Sequence, residues 1–459
     1  MRTYAQALDY LEQFINYERQ RSAPYSPETL SLDRVHDLLK RLGDPHRAYP
    51  TIHVAGTKGK GSTCAMIESI LRAAGCRTGL YTSPHLHTFR ERMRVCGELI
   101  SREAFAALVD EIEPHVAAAP GLTWFEIVTA LGFLHFARSR IDIGVIEVGL
   151  GGRFDATNVI TPQVSVITSL SLDHTAWLGD TLDKIAFEKA GIIKPGVPVV
   201  SAPQKPEALA VIERIATERG APLTVIGRSE NSPSRPVRRF ASGARQARLH
   251  PLKRASDTQK HQENGESFTL RGKAFHVPLR GRHQIDNAVL AIAAVRQAKG
   301  FSIGDETIRR GLNQVEWPGR FEIARGDPPL VFDGAHNVDS ALRLVATLEE
   351  VFPDRRWTLV FGASSDKDIA GILDALLPCV ERAVVTRARS VRAANLESIA
   401  QQIAERGKPV EIAPSVAQAL ARILDSTTPV VVTGSLYIVA EAREAWLDQA
   451  GLPMPERDA

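Results

Sequence analysis

Thr51-Ile-His-Val-Ala-Gly-Thr-Lys-Gly-Lys-Gly-Ser-Thr63 decides how the rest of the chain is read. Thr51 to Ala55 is a short β-branched run of the kind that forms a buried strand, and a glycine-rich turn follows it. Met66, Ile67, Ile70, Leu71 and Ala74 then fall at helical spacing, so the sequence predicts a helix opening at about Gly61. A strand, a glycine loop and a helix start present backbone N–H groups and the positive end of a helix dipole to a phosphate. Gly56, Gly59 and Gly61 permit close backbone approach, Thr57 and Lys58 complete the turn, Lys60 reaches for outer phosphates, and Ser62 or Thr63 can touch magnesium. The spacing is not that of the common phosphate loop. Val54 stands where its first glycine belongs, and Gly61 where Ser or Thr belongs. A plain glycine turn accounts for the glycines but not for two lysines in an otherwise uncharged loop. The stretch reads as a nucleotide site.

Outward from this loop, 459 residues suffice for about two domains with separate cores. A composition of 44% hydrophobic and 24% charged residues is that of a globular chain, and a formal charge of +3 is too small to argue for a nucleic-acid or membrane partner. Cys64, Cys76, Cys96 and Cys379 show no metal-ligand spacing and read as reduced thiols. The start of the sequence lacks an apolar signal-like region and no run is long enough to span a bilayer, so a cytoplasmic location is expected.

Residues 3–18 carry apolar side chains in helical rhythm, and a second amphipathic stretch follows a Ser26-Pro-Glu28 start signal. Residues 102–117 read as a helix, and 126–137 as a buried one. Thr78 to Thr82, Asp142 to Val148 and Val164 to Thr168 are short strands. The latter two are continuously apolar, as parallel strands covered on both faces are. Helices near 180–190 and 206–218 alternate with strands near 197–200 and 222–226, and a helix at 284–299 closes the unit. Beyond Trp317-Pro-Gly-Arg-Phe321, strands at 330–333, 357–361, 382–386 and 429–433 alternate with helices at 338–351, 367–377, 395–405 and 415–424. The expected fold is therefore α/β in two domains: 1–316, a doubly wound, mostly parallel sheet carrying the phosphate loop, and 317–459, a smaller Rossmann-like unit. A tract at 228–266, rich in Arg, Ser, Gln and Pro and poor in apolar residues, reads as a mobile surface insertion rather than a nucleic-acid arm.

Ser83, Glu147 and His174 follow the ends of predicted strands, where ligands of open parallel sheets sit. An acid such as Glu147 is the usual magnesium holder opposite a phosphate-binding lysine, and its plainer role is a cap or salt bridge. Taken alone, His174 reads also as a hydrogen-bonded loop histidine and Ser83 as a turn residue.

Together the strings His53-Val-Ala-Gly-Thr-Lys-Gly-Lys-Gly-Ser-Thr63, Tyr81-Thr-Ser-Pro-His-Leu86, Leu122-Thr-Trp-Phe-Glu126, Glu147-Val-Gly-Leu-Gly-Gly-Arg-Phe-Asp-Ala-Thr-Asn158, Leu172-Asp-His-Thr175, Glu188-Lys-Ala-Gly-Ile192, Pro318-Gly-Arg-Phe321, Phe332-Asp-Gly-Ala-His-Asn337 and Val432-Thr-Gly-Ser-Leu436 resemble the folylpolyglutamate synthase and dihydrofolate synthase family within the Mur-type ATP-dependent amide ligases. The compressed loop spacing is that family's own. The resemblance implies that ATP phosphorylates a pterin carboxylate and that L-glutamate displaces phosphate from the acyl phosphate. The acceptor would be dihydropteroate, a folate or both, in a monomer with small-molecule partners only. By the same resemblance Ser83, Glu147 and His174 hold Mg2+, Lys60 and its loop hold the ATP phosphates, and Lys189 is a carbamate that serves a second Mg2+. From the residues alone, Lys189 is a plain lysine beside Glu188. Asn287, Arg320 and Asp333 are implied for ATP, His336 and Ser435 for glutamate, and Thr123, Trp124, Phe125, Glu126, Phe154 and Asp155 for the pterin. Trp124 and Phe125 read equally well as core aromatics. A Mur-type ligase for a non-folate acid and a non-catalytic nucleotide-gated binding protein are the competing readings. The tract at 228–266 departs from the family pattern.

Overall fold

A computed structural model of the chain describes residues 2–18, 31–226, 265–390, 392–423 and 427–458. Its first sheet has eight strands: β1 (Thr51–Ala55), β2 (Thr78–Tyr81), β3 (Met93–Val95), β4 (Glu98–Leu99), β5 (Ile143–Glu147), β6 (Val164–Ile167), β7 (Val199–Ser201) and β8 (Leu223–Val225), in the order β4-β3-β2-β5-β1-β6-β7-β8. From β2 to β8 neighbours run parallel, and β3 and β4 add an antiparallel edge. Every residue of β1 and β5 is buried, the polar Thr51 and His53 of β1 and the terminal Glu147 of β5 included.

The two faces of this sheet take different partners. Ile52, Val54, Ile143 and Val145 pack against helices Lys60–Ala73, Arg282–Gln297 and Asp305–Asn313. Tyr81 and Ile146 face helices Tyr4–Glu12, Leu32–Arg41, Arg102–Ala117 and Trp124–Arg138. Because side chains alternate along a strand, Glu147 falls on the face of Val145, toward the start of helix Lys60–Ala73. A two-stranded hairpin of β9 (Glu266–Leu270) and β10 (Lys273–Val277) lies apart from the sheet.

The second sheet contains β11 (Glu322–Gly326), β12 (Pro329–Phe332), β13 (Trp357–Phe361), β14 (Val380–Val385), β15 (Val410–Ile412) and β16 (Val430–Thr433), in the order β11-β12-β16-β13-β14-β15. Only β11 is antiparallel to its neighbour. The chain is thus a two-domain α/β protein with a larger, mostly parallel first sheet. None of the described helices is long and apolar enough to cross a membrane.

Several expectations are corrected. The helix expected over 3–18 stops at Glu12, because the Ile15 carbonyl accepts the Trp124 N–H and Asn16 caps Glu18 instead. The second helix starts at Leu32 with Ser31 as its cap, while the Ser26-Pro-Glu28 signal lies outside the described residues. The buried helix begins two residues early, at Trp124, because Thr123 and Glu126 form a capping box. Most of the basic tract at 228–266 lies outside the described residues, but its last residue, Glu266, opens β9.

Candidate active site

A cleft of about 2220 Å³ runs between the two sheets. It exceeds the several hundred Å³ of an ordinary ligand pocket, so more than one substrate can enter. Its floor is the loop after β1. The N–H groups of Thr57 and Lys58 both donate to the Ser169 carbonyl, at 3.0 and 3.1 Å, which ties this loop to the end of β6. Gly56 is obligatory here, since a Cβ would lie 1.8 Å from Thr168 Oγ1. Gly59 is left-handed (φ 82°) and caps helix Lys60–Ala73, with no side-chain cap at that terminus. The helix therefore opens into the cleft with first-turn N–H groups that an anion can accept from.

Lys60 Nζ stands 4.0 Å from Glu147 Oε1, and the Ser83 N–H donates to Glu147 Oε2 at 3.1 Å. Burial raises the Glu147 carboxyl, and Lys60 and the Ser83 N–H oppose that shift. Lys189 is 5% exposed and donates to the Gly56 carbonyl at 2.9 Å. Burial, with Lys60 nearby, lowers its amine to about 7, so a neutral amine is accessible near neutrality. His174, left-handed at φ 52°, precedes a short helix at Thr175–Leu178, and desolvation lowers its imidazole to about 4. Among the described residues no three His, Cys, Asp or Glu side chains gather into a ready-made metal set. Glu147 beside Lys60 supplies a carboxylate of the kind magnesium takes, since that ion commonly binds one or two protein carboxylates and completes its shell with phosphate and water.

The second domain supplies the opposite wall. Asp333 follows β12 and accepts from the N–H groups of Phe321 and Ala335, at 2.9 and 2.8 Å. Burial raises its carboxyl, and Arg320 opposes the shift. His336 donates from Nδ1 to the Gly334 carbonyl at 2.8 Å, which leaves Nε2 as the lone-pair nitrogen of the neutral ring. Ser435 caps helix Leu436–Gln449. Asn287, from helix Arg282–Gln297, sits over the phosphate loop so closely that a Cβ on Gly59 would meet its Oδ1 at 2.4 Å.

Of the residues expected at the site, Gly56 through Ser62, Ser83, Thr123, Phe125, Glu126, Glu147, Phe154, Asp155, His174, Lys189, Asn287, Arg320, Asp333, His336 and Ser435 line the cleft. Trp124 does not. It is 3% exposed and packs edge-on against Phe89, with the Arg92 guanidinium 4.9 Å above its ring. Thr123 and Glu126 cap one another, and Glu126 also pairs with Arg34 at 3.1 Å. Asp155 braces its own loop by accepting from Leu150 and Thr157.

Asp173 was missed, although it stands in the quoted Leu-Asp-His-Thr string. Its carboxylate meets Lys58 Nζ at 3.0 Å, Lys367 Nζ at 3.1 Å and Asn337 Nδ2 at 2.7 Å. Burial would raise this carboxyl, but Lys58, His174 and Lys367 outweigh it and hold the group below the usual carboxylate range. Lys367 was missed too. Its signal was position, since it lies in the loop beyond the carboxyl end of β13.

Residues 54–295 match the Mur ligase middle domain, and 319–436 match the Mur ligase glutamate ligase domain. A probable bifunctional folylpolyglutamate synthase/dihydropteroate synthase of Haloferax volcanii is 40% identical over 92% of this chain and 48% of its own length. This chain thus spans about half of that relative. The dihydrofolate synthase/folylpolyglutamate synthase of Bacillus subtilis is 36% identical over 90% of this chain and 94% of its own. The structure of E. coli FolC in complex with DHPP and ADP is 32% identical, covers 98% of this chain and 99% of that one, and superposes with a TM-score of 0.82. On these matches the chain belongs to the folylpolyglutamate synthase/dihydrofolate synthase family of Mur ligases.

Proposed function

We propose that this chain joins L-glutamate to a pterin carboxylate at the expense of ATP, with dihydropteroate and folates both as acceptors. One observation carries the reading. The uncapped helix start, Lys60 and Glu147 meet on one wall of a cleft whose other wall holds Arg320, Asp333 and His336. A site that joins two anions needs positioning and cations more than a base or nucleophile, and this is the equipment present.

The acceptor carboxylate oxygen attacks the γ-phosphorus and ADP departs, leaving an acyl phosphate. The glutamate amine then attacks the acyl carbon, loses its proton, and inorganic phosphate leaves. Lys60 and the N–H groups of helix Lys60–Ala73 hold the phosphates, while Thr57 and Lys58 shape the loop. Asn287, Arg320 and Asp333 complete the ATP site across the cleft. His336 and Ser435 receive glutamate, and Phe125, Phe154 and the braced Asp155 loop form the pterin wall. Mg2+ held by Glu147, Ser83 and His174 would neutralise charge on the phosphates. The buried amine of Lys189 is suited to take up CO2, which would turn it into a carboxylate ligand for a second Mg2+.

The Bacillus subtilis relative bears both synthase names and the E. coli structure holds DHPP with ADP, which supports the pterin and dual-acceptor reading over a non-folate ligase. Both walls come from one chain, which supports a monomer. Four free thiols, Cys64, Cys76, Cys96 and Cys379, support a reducing, cytoplasmic setting. The domain division expected at 316/317 is supported to within a few residues, since Trp317 packs on the first core and Phe321 belongs to the second.

The test is ATP-dependent phosphate release with L-glutamate, using dihydropteroate and tetrahydrofolate as separate acceptors. Turnover with both is the expected result. Turnover with one alone removes the dual role, and ATP binding without turnover on either favours the nucleotide-gated binding protein.

A further inference from the structure

The loop Thr82–Arg92 carries a set of contacts that the reaction leaves unexplained. Its base is closed by the Thr82 N–H donating to the Arg92 carbonyl at 3.1 Å. Beside Thr82, Ser83 lines the cleft and donates its N–H to Glu147. At the other end Arg92, 1% exposed, forms a two-pronged pair with Glu18 at 3.0 and 2.8 Å and covers the Trp124 ring. Glu18 itself lines the cleft.

Four successive amides point inward along this loop. Those of Leu86, His87 and Thr88 donate to the Glu91 carboxylate at 2.9, 2.8 and 3.1 Å. The fourth, on buried Phe89, donates at 2.7 Å to Oδ2 of Asp458, a residue 369 positions away. Oδ1 of Asp458 accepts from the Thr88 hydroxyl at 2.6 Å and the Tyr4 hydroxyl at 2.5 Å.

Asp458 arrives by a strap that leaves the second domain after helix Leu436–Gln449 and crosses to the first. Along it Glu456 pairs with Arg90, and the Arg457 carbonyl accepts from Arg102 at 2.8 Å. The same helix grips the loop directly. His87 Nδ1 donates to Glu444 at 3.0 Å, and Arg443 donates to His87 Nε2 at 3.2 Å. A first-domain loop that places Ser83 and Arg92 is therefore held by second-domain side chains.

We propose that Asp458 is a positioning residue for the reaction: seated on Thr88 and Phe89, it fixes the Thr82–Arg92 loop and so sets the stretch of cleft wall that carries Ser83 and Glu18. Three donors on one carboxylate make charge-assisted hydrogen bonds, and without it a buried amide loses its acceptor. The inference rests on the ligase reading for its consequence in turnover, but not for its structural part.

The experiment compares Asp458→Ala and Asp458→Asn with the parent protein by hydrogen exchange and by steady-state kinetics with dihydropteroate. Exchange needs no substrate, so it separates failure of this proposal from failure of the ligase reading. Asp458→Ala is expected to speed exchange at residues 86–92 and to lower kcat/KM for dihydropteroate, each by roughly tenfold. Asp458→Asn keeps an acceptor oxygen and should recover most of both losses. Parental exchange at 86–92 in Asp458→Ala, or faster exchange there with parental kcat/KM, would overturn the proposal.

Discussion

Under the proposed reaction, two lysines on the cleft floor have opposite requirements of the same side chain. Lys60 stands 4.0 Å from Glu147 Oε1 and, in the proposed reaction, faces the phosphates, so its removal deletes the cation closest to them on that wall. Lys60→Ala should lower phosphate release at least about 100-fold with every acceptor, the usual cost of losing one preorganised charge partner. Melting should barely move, because its ion pair with Glu147 is long at 4.0 Å. Near-parental turnover would remove Lys60 from the phosphate site. Lys189 must instead be neutral to take up CO2. With its amine at about 7, the protonated fraction grows below that pH, so turnover should fall on the acid side with a midpoint near it. A carbamate signal in carbon-13 spectra after labelled bicarbonate is added, absent in Lys189→Ala, is the direct check. No such signal in the parent protein would leave Lys189 a plain buried amine.

Among the elements, β1 shows how strand burial becomes pH dependence. His53 lies inside it with no exposed surface, its Nε2 2.8 Å from Thr157 Oγ1 and its Nδ1 without a hydrogen-bond partner among the described residues. Burial drops the imidazole from 6.5 to about 3. Between those values the unfolded chain binds a proton that the folded chain refuses, so stability falls as pH falls, by about 1.4 kcal/mol per unit once the slope is full. Urea unfolding of the parent and His53→Gln from pH 7 to pH 4 should show the variant losing stability less steeply, by about one proton; parallel slopes would exonerate His53. Burial on both faces made β5 easy to read, since Ile143 to Ile146 shows no polar alternation, whereas β1 was read from its β-branched residues and the glycine loop after it. Short edge strands such as β3, β4 and β15 gave no such signal. Helix Asp305–Asn313 and helix Leu436–Gln449 also escaped notice, and Leu436–Gln449 mixes apolar and charged residues around its whole circumference. Helical rhythm through residue 18 misled because contacts from Trp124 and Glu18, remote or local, outcompeted the last turn.

Across the whole molecule, what the sequence could not display is how the domains meet. Residues beyond strand ends were legible one by one, but the partner of each depends on the docking of two sheets. Trp124 shows the limit from the other side, a motif aromatic whose ring the fold turns into the core. Asp173 is where the docking becomes chemistry, for it draws Lys58 of the first domain and Lys367 and Asn337 of the second onto one carboxylate. Arg343 adds a second tie, donating to Ser169 Oγ at 3.2 Å. Without the Asp173 charge, two ammonium groups would face each other in a poorly hydrated cleft, and their repulsion favours separation of the domains. Asp173→Asn is the informative change, because an amide oxygen can still accept the His174 N–H that Oδ1 now takes at 3.0 Å. We expect a larger radius of gyration in solution scattering of the nucleotide-free variant and a KM for glutamate raised by about tenfold or more, since both walls must close before the amine is placed. An unchanged radius with loss of ATP affinity alone would instead make Asp173 part of the nucleotide site and leave closure to the Arg343 contact and the strap.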